Sequence, residues 1–403
     1  MNCLDYMKIP VLMFVSSSDY DALLEKGVAG MIAERSEGGF FQRVISLHPL
    51  ARKTRTLSIG PGHDLIELGV DGLPGGARSR ILRHIYAPIY ILRSALVIRQ
   101  LIIKEAVDVV RASDPYWAAL VAWLGTRGTS ARFVISIHAD WNHRHRLDPR
   151  CGAPKIFGSR RGAELLAHFL LQHAERVMCI RKSLFAPAEQ AGARNDGLRL
   201  IPHGINLSLF LNPLAPPKIG LPPHRKVVFF AGRLSSENYM DDIIEVGRML
   251  ASRGDTALVI AGGGLEEERL RAVVEFEPEV RSTIFFLGFI PREDVIALRM
   301  SATVNLAPMG GYSLIEACAS GRPTVAYDVE WHSELIEDGV SGRLVPEGDI
   351  TSLVEAVEIL LDDPTQAEAI GNAGRKRAFE LHDIENIFHI RADVYQELLE
   401  EAS

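Results

Sequence analysis

The residues best able to do chemistry lie at the ends of short apolar runs. The richest segment runs from Pro308 to Asp328, PMGGYSLIEACASGRPTVAYD. An apolar run leads through Gly310-Gly311 into a helical pattern beginning near Ser313. Glycines let backbone approach a ligand closely. A helix start offers unbonded N–H groups and the positive end of its dipole, an anion site suited to phosphate. Tyr312, Ser313 and Leu314 form that start. Glu316, about one turn in, can accept hydrogen bonds from ribose hydroxyls. The same residues satisfy the plain capping pattern S-x-x-E through Ser313 and Glu316, which needs no ligand.

Three more runs end in glycine. Phe229–Leu234 closes on Gly232-Arg233, and arginine at a strand's carboxyl end suits phosphate. Ile260–Gly264 enters a turn containing Gly263. Phe285–Ile290 carries Gly288 and Phe289, placed for contacts to a base. Ile336–Pro346 reads as glycine turns around a hairpin-like element. In the first half, Val134–His138 is a buried strand pattern ending in His138, whose imidazole could orient a donor or leaving group; the plainer alternative is a solvated loop histidine. Asp140, Trp141, His143, Arg144, His145 and Arg146 follow it, a basic binding loop rather than a metal site. Ser16-Ser17-Ser18-Asp19 follows the first strand pattern, and Asp114-Pro115-Tyr116 ends another.

These residues need a scaffold of parallel strands. Apolar runs fit strands at Val11–Val15, Arg43–Leu47, Val107–Arg111, Phe133–Ile137 and Val177–Ile180, then Val227–Ala231, Ala257–Ala261, Thr283–Leu287, Ala302–Leu306 and Thr324–Tyr327. Helical patterns between them predict α/β units with sheets buried on both faces. Prolines at 213, 216, 217, 222 and 223 mark a linker. We read 1–205 as an N-terminal acceptor domain, 206–223 as the linker and 224–383 as a second domain. Residues 384–403 form a helix able to pack back on the first domain. Residues 1–200 hold 27 Lys/Arg and 18 Asp/Glu, against 17 and 33 in 201–403. The net charge of −7 excludes a general nucleic-acid binder. The four cysteines show no ligand spacing, which fits a reducing compartment. No signal peptide or membrane span is evident. Arg78–Lys104 is apolar with scattered cations. Pro88 should break it, and we expect one or two packed helices rather than an interfacial anchor.

The motif order resembles the nucleotide-sugar domain of glycosyltransferase family 4. The matching pieces are Gly232-Arg233-Leu234, Gly262-Gly263-Gly264, Leu287-Gly288, Leu314–Gly321 with Pro323, and the Gly339–Gly342 turn. Pro202–Asn206 is similar to the family's segment before the linker, and Val134–His138 to its strand ending in an active-site histidine. The resemblance implies the GT-B fold, two Rossmann-like domains facing across a cleft. It implies His138, Arg233 and Glu316 as catalytic residues. The donor would lie on Gly232, Asn238, Gly263, Gly288, Phe289, Gly310, Gly311, Tyr312, Ser313, Leu314 and Glu316, and the acceptor on Ser17, Ser18, Asp114, Asp140, Trp141 and Arg144. It further implies retaining transfer without a metal or cofactor other than the nucleotide-sugar co-substrate, and we find no DxD-like pair.

Two positions depart from the family. Asn238 stands where its Glu-Lys-Gly motif carries the lysine that contacts the donor diphosphate. Pro308 stands where the first of its two glutamates is expected, Glu316 being the second. Either another cation substitutes, such as Arg299 or Arg322, or the donor differs. We expect a retaining hexosyltransferase-like enzyme of cell-surface polysaccharide or glycoconjugate synthesis. Its partners would be a nucleotide sugar, a glycan or lipid-linked acceptor and an anionic membrane surface contacted by the basic stretch Arg144–Arg161, but no nucleic acid. It would be cytoplasmic, at the inner face of the cytoplasmic membrane. The alternatives are a sugar-nucleotide 2-epimerase-like enzyme and a non-catalytic nucleotide-sugar or glycan-binding relative.

Overall fold

The computed structural model describes residues 9–25, 29–69, 80–140, 154, 156, 159–212, 214–220 and 224–401, and of Glu25, Ala29, Met31, Leu50 and residues 80–86 the backbone alone. The chain forms two compact units, Met1–Pro202 with Phe388–Ser403, and His203–Ile387.

The first unit holds β1 (Val11–Val15), β2 (Arg43–Ala51), β3 (Arg55–Gly60), β4 (His63–Gly69), β5 (Val109–Ala112), β6 (Arg132–Ile137), β7 (Arg176–Cys179) and β8 (Leu198–Leu200). Their spatial order is β3-β4-β2-β1-β5-β6-β7-β8, with β3–β4 antiparallel and the other pairs parallel. β1 sits centrally, with Val11 opposite Arg43 on one side and Leu12 opposite Val109 on the other. Burial on both faces is why its sequence is uninterrupted Val, Leu, Met and Phe. β3, at the sheet edge, alternates half-buried with exposed positions over Arg55–Ser58, whereas β4, paired on both sides, alternates buried with half-buried positions only over His63–Ile66.

The helices of this unit are α1 (Tyr20–Glu25), α2 (Arg80–Glu105), α3 (Trp117–Thr126), α4 (Arg160–His173) and α5 (Phe185–Gln190). Contrary to expectation, α2 runs unbroken through Pro88 for 26 residues. A proline inside a helix costs ~3 kcal/mol. Burial of Tyr90, Ile98 and Ile102 offsets it, at ~1.5–3 kcal/mol for a large apolar side chain. Ile98 lies so close to Gly125 of α3 that a Cβ there would meet it at 2.3 Å.

The second unit holds β9 (Lys226–Ala231), β10 (Thr256–Ala261), β11 (Ile284–Gly288), β12 (Val304–Leu306), β13 (Thr324–Tyr327) and β14 (Arg343–Val345). Their order is β11-β10-β9-β12-β13-β14, all parallel. β14 therefore extends the sheet edge and is not part of a hairpin. The helices are α6 (Met240–Leu250), α7 (Glu267–Glu275), α8 (Pro278–Arg281), α9 (Arg292–Ser301), α10 (Tyr312–Ala319), α11 (His332–Leu335), α12 (Ile350–Asp362) and α13 (Pro364–His382).

The last helix, α14 (Ile384–Glu400), lies mostly in the first unit. There Val394, Tyr395 and Leu398 pack with Leu12, Val44 and Met178. Buried Arg111 donates to Glu37 at 3.0 Å, to the Tyr395 oxygen at 3.0 Å and to Ser136 Oγ at 2.6 Å. Arg391 of α14 reaches the second Glu37 oxygen at 2.8 Å. The buried charges are thus paired, as burial demands.

Candidate functional site

In open parallel sheets, ligands bind beyond strand carboxyl ends where the strand order reverses. In the second unit that point lies between β9 and β12, and two loops meet there. Gly232-Arg233 follows β9, and Pro308–Gly311 follows β12 into α10. Backbone bonds lock the neighbouring turns: Gly232 N–H to Ala261 at 3.1 Å, Leu234 N–H to Gly263 at 3.1 Å, and Gly262 N–H to Gly288 at 2.8 Å. Gly262 has φ +127°, and a Cβ on it would meet the Gly232 carbonyl at 1.9 Å, so only glycine fits.

The first turn of α10 is cross-braced. Gly311, not Ser313, occupies the cap position. The capping-box reading therefore fails: the Ser313 hydroxyl donates instead to the Ala231 carbonyl at 2.7 Å, at the end of β9. Arg299 of α9 donates from Nη2 to Ser313 Oγ at 2.9 Å and to the Ala231 carbonyl at 3.2 Å. It is 1% exposed, and Nε and Nη1 have no hydrogen-bond partner among the described residues. Burial lowers its pKa from the ordinary guanidinium value, with Glu316 and Cys318 acting in the opposite sense.

Glu316 is held by Arg292, whose Nε and Nη2 both reach Oε1, at 3.0 and 2.9 Å. Oε2 has no hydrogen-bond partner among the described residues and can accept from a hydroxyl. His332 supports the glycine turn. Its Nδ1 donates to the Tyr327 carbonyl at 2.7 Å, and its Nε2 lies 3.3 Å from both the N–H and the carbonyl oxygen of Gly310. The Tyr312 hydroxyl lies 3.3 Å from His203 Nδ1. Leu314 is fully buried and can offer a ligand only its backbone.

Other expected donor residues lie farther out. Arg233 is 73% exposed and pairs only loosely with Glu237, at 4.0 Å. Asn238 donates to the Arg233 carbonyl at 2.7 Å, bracing the loop. Gly288 has φ +68°, and Phe289 after it is 92% exposed. Sequence reasoning misses Arg292, His203 and His332, which reach the site only through tertiary packing. Arg299 does leave a signal, a single cation within the apolar stretch Val295–Met300.

In the first unit the strand order reverses between β1 and β5. Ser17 follows β1, and its N–H donates to Ser113 Oγ at 3.3 Å. Asp114 accepts from Ser113 at 3.0 Å and from the Tyr116 N–H at 2.9 Å. Burial raises the Asp114 pKa, and bonds from Ser17, Tyr116 and Ser113 act against that rise. Ser18 turns back to Ser16 Oγ at 3.3 Å. Half-buried His138 and Asp140 follow β6, and Asp140 lines a small cavity with Tyr116. Trp141 and Arg144 lie outside the described residues, as does the basic stretch up to Lys155.

Two family descriptions match the chain. Glycosyltransferase Family 4 matches residues 62–209, and Glycosyl transferases group 1 matches residues 213–377. The chain belongs to the family 4 glycosyltransferases. Among curated relatives of this glycosyltransferase, the alpha-D-kanosaminyltransferase of Streptomyces kanamyceticus is 32% identical over 36% of the chain and 38% of its own length. A phosphatidyl-myo-inositol mannosyltransferase of Mycobacterium leprae is 33% identical over 43% and 47%. The chain thus spans less than half the length of these two relatives. Among solved structures, a sucrose-phosphate synthase of Thermosynechococcus elongatus has a TM-score of 0.69 at 19% identity, covering 97% of this chain and 99% of that one. An Anabaena protein solved with UDP has a TM-score of 0.69 at 17% identity, covering 96% and 100%. These likenesses show the GT-B fold.

Proposed function

We propose that this glycosyltransferase moves a sugar from a nucleotide-sugar donor to a glycan or lipid-linked acceptor, with retention and without a divalent metal. The observation that carries the reading is the convergence, in the second unit, of the α10 start, Ser313, Glu316 and the buried Arg299. In this reading the donor diphosphate lies on the N–H groups at Gly311–Ser313, and Arg299 supplies the positive field that the family's lysine would otherwise give. Such preorganised charge stabilises a departing diphosphate. Oε2 of Glu316 accepts from ribose hydroxyls. Relatives named as sugar transferases and an Anabaena neighbour solved with UDP-glucose support a nucleotide-sugar donor. Acceptor hydroxyls lie near Asp114, Ser17 and His138. The enzyme works in the cytoplasm, at the inner face of the membrane, in polysaccharide or glycoconjugate synthesis.

Calorimetry with UDP and GDP, and with their sugars, tests the site. Glu316→Ala removes charge-assisted bonds worth ~1.5–3 kcal/mol, and nucleotide affinity should fall about 10- to 150-fold. Unchanged affinity would overturn the donor site. Transfer that stops in EDTA and returns with Mn²⁺ would overturn the metal-free mechanism. Asn238 and Pro308 favour one second reading, a relative that binds nucleotide sugars without transfer. Nucleotide binding without product across a panel of donors and acceptors would establish it.

A further inference from the structure

The helices covering one face of the first sheet carry apolar side chains on the wrong side. In α2, Tyr90, Ala95, Ile98 and Ile102 face the core, as expected. Yet Ile89, Leu92, Leu96 and Ile103 face solvent, each between 51% and 67% exposed. At about 100° per residue these four fall within an arc of about 60°. A helix apolar on both sides belongs in a core or a membrane, not at a water interface. The apolar surface continues beyond α3, which packs against both α2 and α4. Trp123 of α3 meets Phe169 of α4 edge-on at 5.0 Å, and Phe169 and Leu165 are themselves exposed.

The flanks of this surface are basic. On the same projection Arg93 and Lys104 border the α2 stripe on one side and Arg99 on the other. The Arg127 guanidinium lies over the Trp123 ring at 5.3 Å. α2 has a single acid, Glu105 in its last turn, and α3 has none. Glu105 is already paired with Arg43 and Lys104, and α4 carries one acid, Glu164, paired with Arg160 at 3.4 Å. An exposed apolar stripe bordered by cations suits the boundary between lipid headgroups and acyl chains.

We propose, against the expectation that this segment only packs and does not anchor at an interface, that the outward face of α2, continued across α3 onto α4, docks on an anionic lipid bilayer. Charge selects this occupant over a second copy of the chain. Two-fold self-pairing through α2 would set Arg93, Arg99 and Lys104 against their own equivalents, and like charges across an interface repel. A bilayer with acidic headgroups takes the apolar residues into its surface and the cations among its phosphates. The docking residues differ from the basic stretch at Arg144–Arg161, and the proposal does not depend on sugar transfer.

The test is flotation with phosphatidylcholine vesicles, with and without about one third phosphatidylglycerol, in the absence of nucleotide or acceptor. The full-length protein should float with the anionic vesicles. Part of that binding should survive high salt, because apolar insertion is not screened. Leu92→Glu with Leu96→Glu, both at exposed positions, should cut binding about ten-fold or more while leaving the circular dichroism and Tm unchanged. Arg93→Gln and Lys104→Gln should each cost about five-fold at low salt. Arg160→Gln with Arg161→Gln should cost less than either. The proposal is overturned if the protein fails to float with anionic vesicles, or if the Leu92/Leu96 double variant floats as well as the parent. A concentration-dependent dimer abolished by those two glutamates would equally overturn it, in favour of a self-interface.

Discussion

The two sheets place loops at the same topological point and hold opposite charges there, one half-buried and one fully buried. Between β1 and β5 the group is the half-buried Asp114 carboxyl, fed by hydroxyl and backbone donors. Between β9 and β12 it is the Arg299 guanidinium, which donates to a hydroxyl and a carbonyl and leaves two nitrogens unpartnered. In both, desolvation works against the charged form. Arg111 shows what a purely structural buried cation looks like in this molecule, since Glu37, Tyr395 and Ser136 surround it. Among the described residues Arg299 has no such counter-ion in hydrogen-bonding contact. The comparison teaches that one scaffold can offer a carboxylate to hydroxyl groups in one unit and positive potential to an anion in the other.

Arg299→Met separates the two sites most strongly. It removes the cation and keeps much of the volume. Hydrogen bonds to a charged group are worth ~1.5–3 kcal/mol, so UDP affinity should fall about 10- to 150-fold. Stability should change little, because replacing a buried ion with an apolar residue is often neutral or stabilising. Calorimetry and urea unfolding check both halves. Arg299→Lys should recover part of the affinity, which a merely structural role would not require. Equal affinity in the parent and Arg299→Met would remove Arg299 from the donor site.

Asp114→Asn probes the other site. Turnover at saturating donor should fall about ten-fold, as for loss of an acid–base or orienting group, while nucleotide affinity stays unchanged. A parallel loss of nucleotide affinity would collapse the distinction between the sites. The pH dependence gives a second readout. Because the folded state raises the Asp114 pKa, it binds the proton more tightly than the unfolded chain. Stability from this group is therefore full below the ordinary carboxyl value of 3.8 and is lost as pH rises towards the raised value. The asparagine variant does not titrate at this position, so its Tm relative to the parent should rise between about pH 3.5 and pH 7. Each tenfold difference in proton affinity between the folded and unfolded chain contributes ~1.4 kcal/mol to that rise. A constant Tm difference across the same range would contradict the raised pKa of the Asp114 carboxyl.

Much of this arrangement is legible in the residues, for identifiable reasons. Strands buried on both faces are continuous apolar runs, so the pattern predicts β1 and β13 with the observed limits, Val11–Val15 and Thr324–Tyr327. β3 and β4 escape such a reading because polar residues interrupt them: Thr56 and Ser58 on the exposed positions of edge strand β3, and half-buried Asp64 and buried Glu67 in β4. β14 has only three residues, too few for a pattern. The break expected at Pro88 does not occur, because the local cost is outweighed by tertiary burial that no local pattern displays. The donor-site glycines are visible because only glycine permits such close backbone approach. Ser313 looks like a cap because its actual partner, the Ala231 carbonyl, lies 82 residues away. His332 and Arg292 give no local signal, since their roles depend on contacts to Gly310 and Glu316 across the fold.

The smallest expected effect sharpens the comparison further. Asn238 occupies the position where family 4 sequences carry a lysine, and its amide braces the loop through the Arg233 carbonyl. If buried Arg299 already supplies the phosphate field, Asn238→Lys adds only a surface cation. Such a charge is largely screened, and exposed pairs contribute ~0.2–1 kcal/mol. UDP affinity should therefore rise by no more than about five-fold, and the gain should vanish in high salt as the Debye length shortens. In the Arg299→Met background the same lysine should matter more, because it would then be the main cation facing the diphosphate. A gain of about fifty-fold or more in the parent, beyond what an exposed pair can supply, would reverse the assignment: the surface position would be the natural phosphate partner, and buried Arg299 would be only a brace between α9, Ser313 and the end of β9.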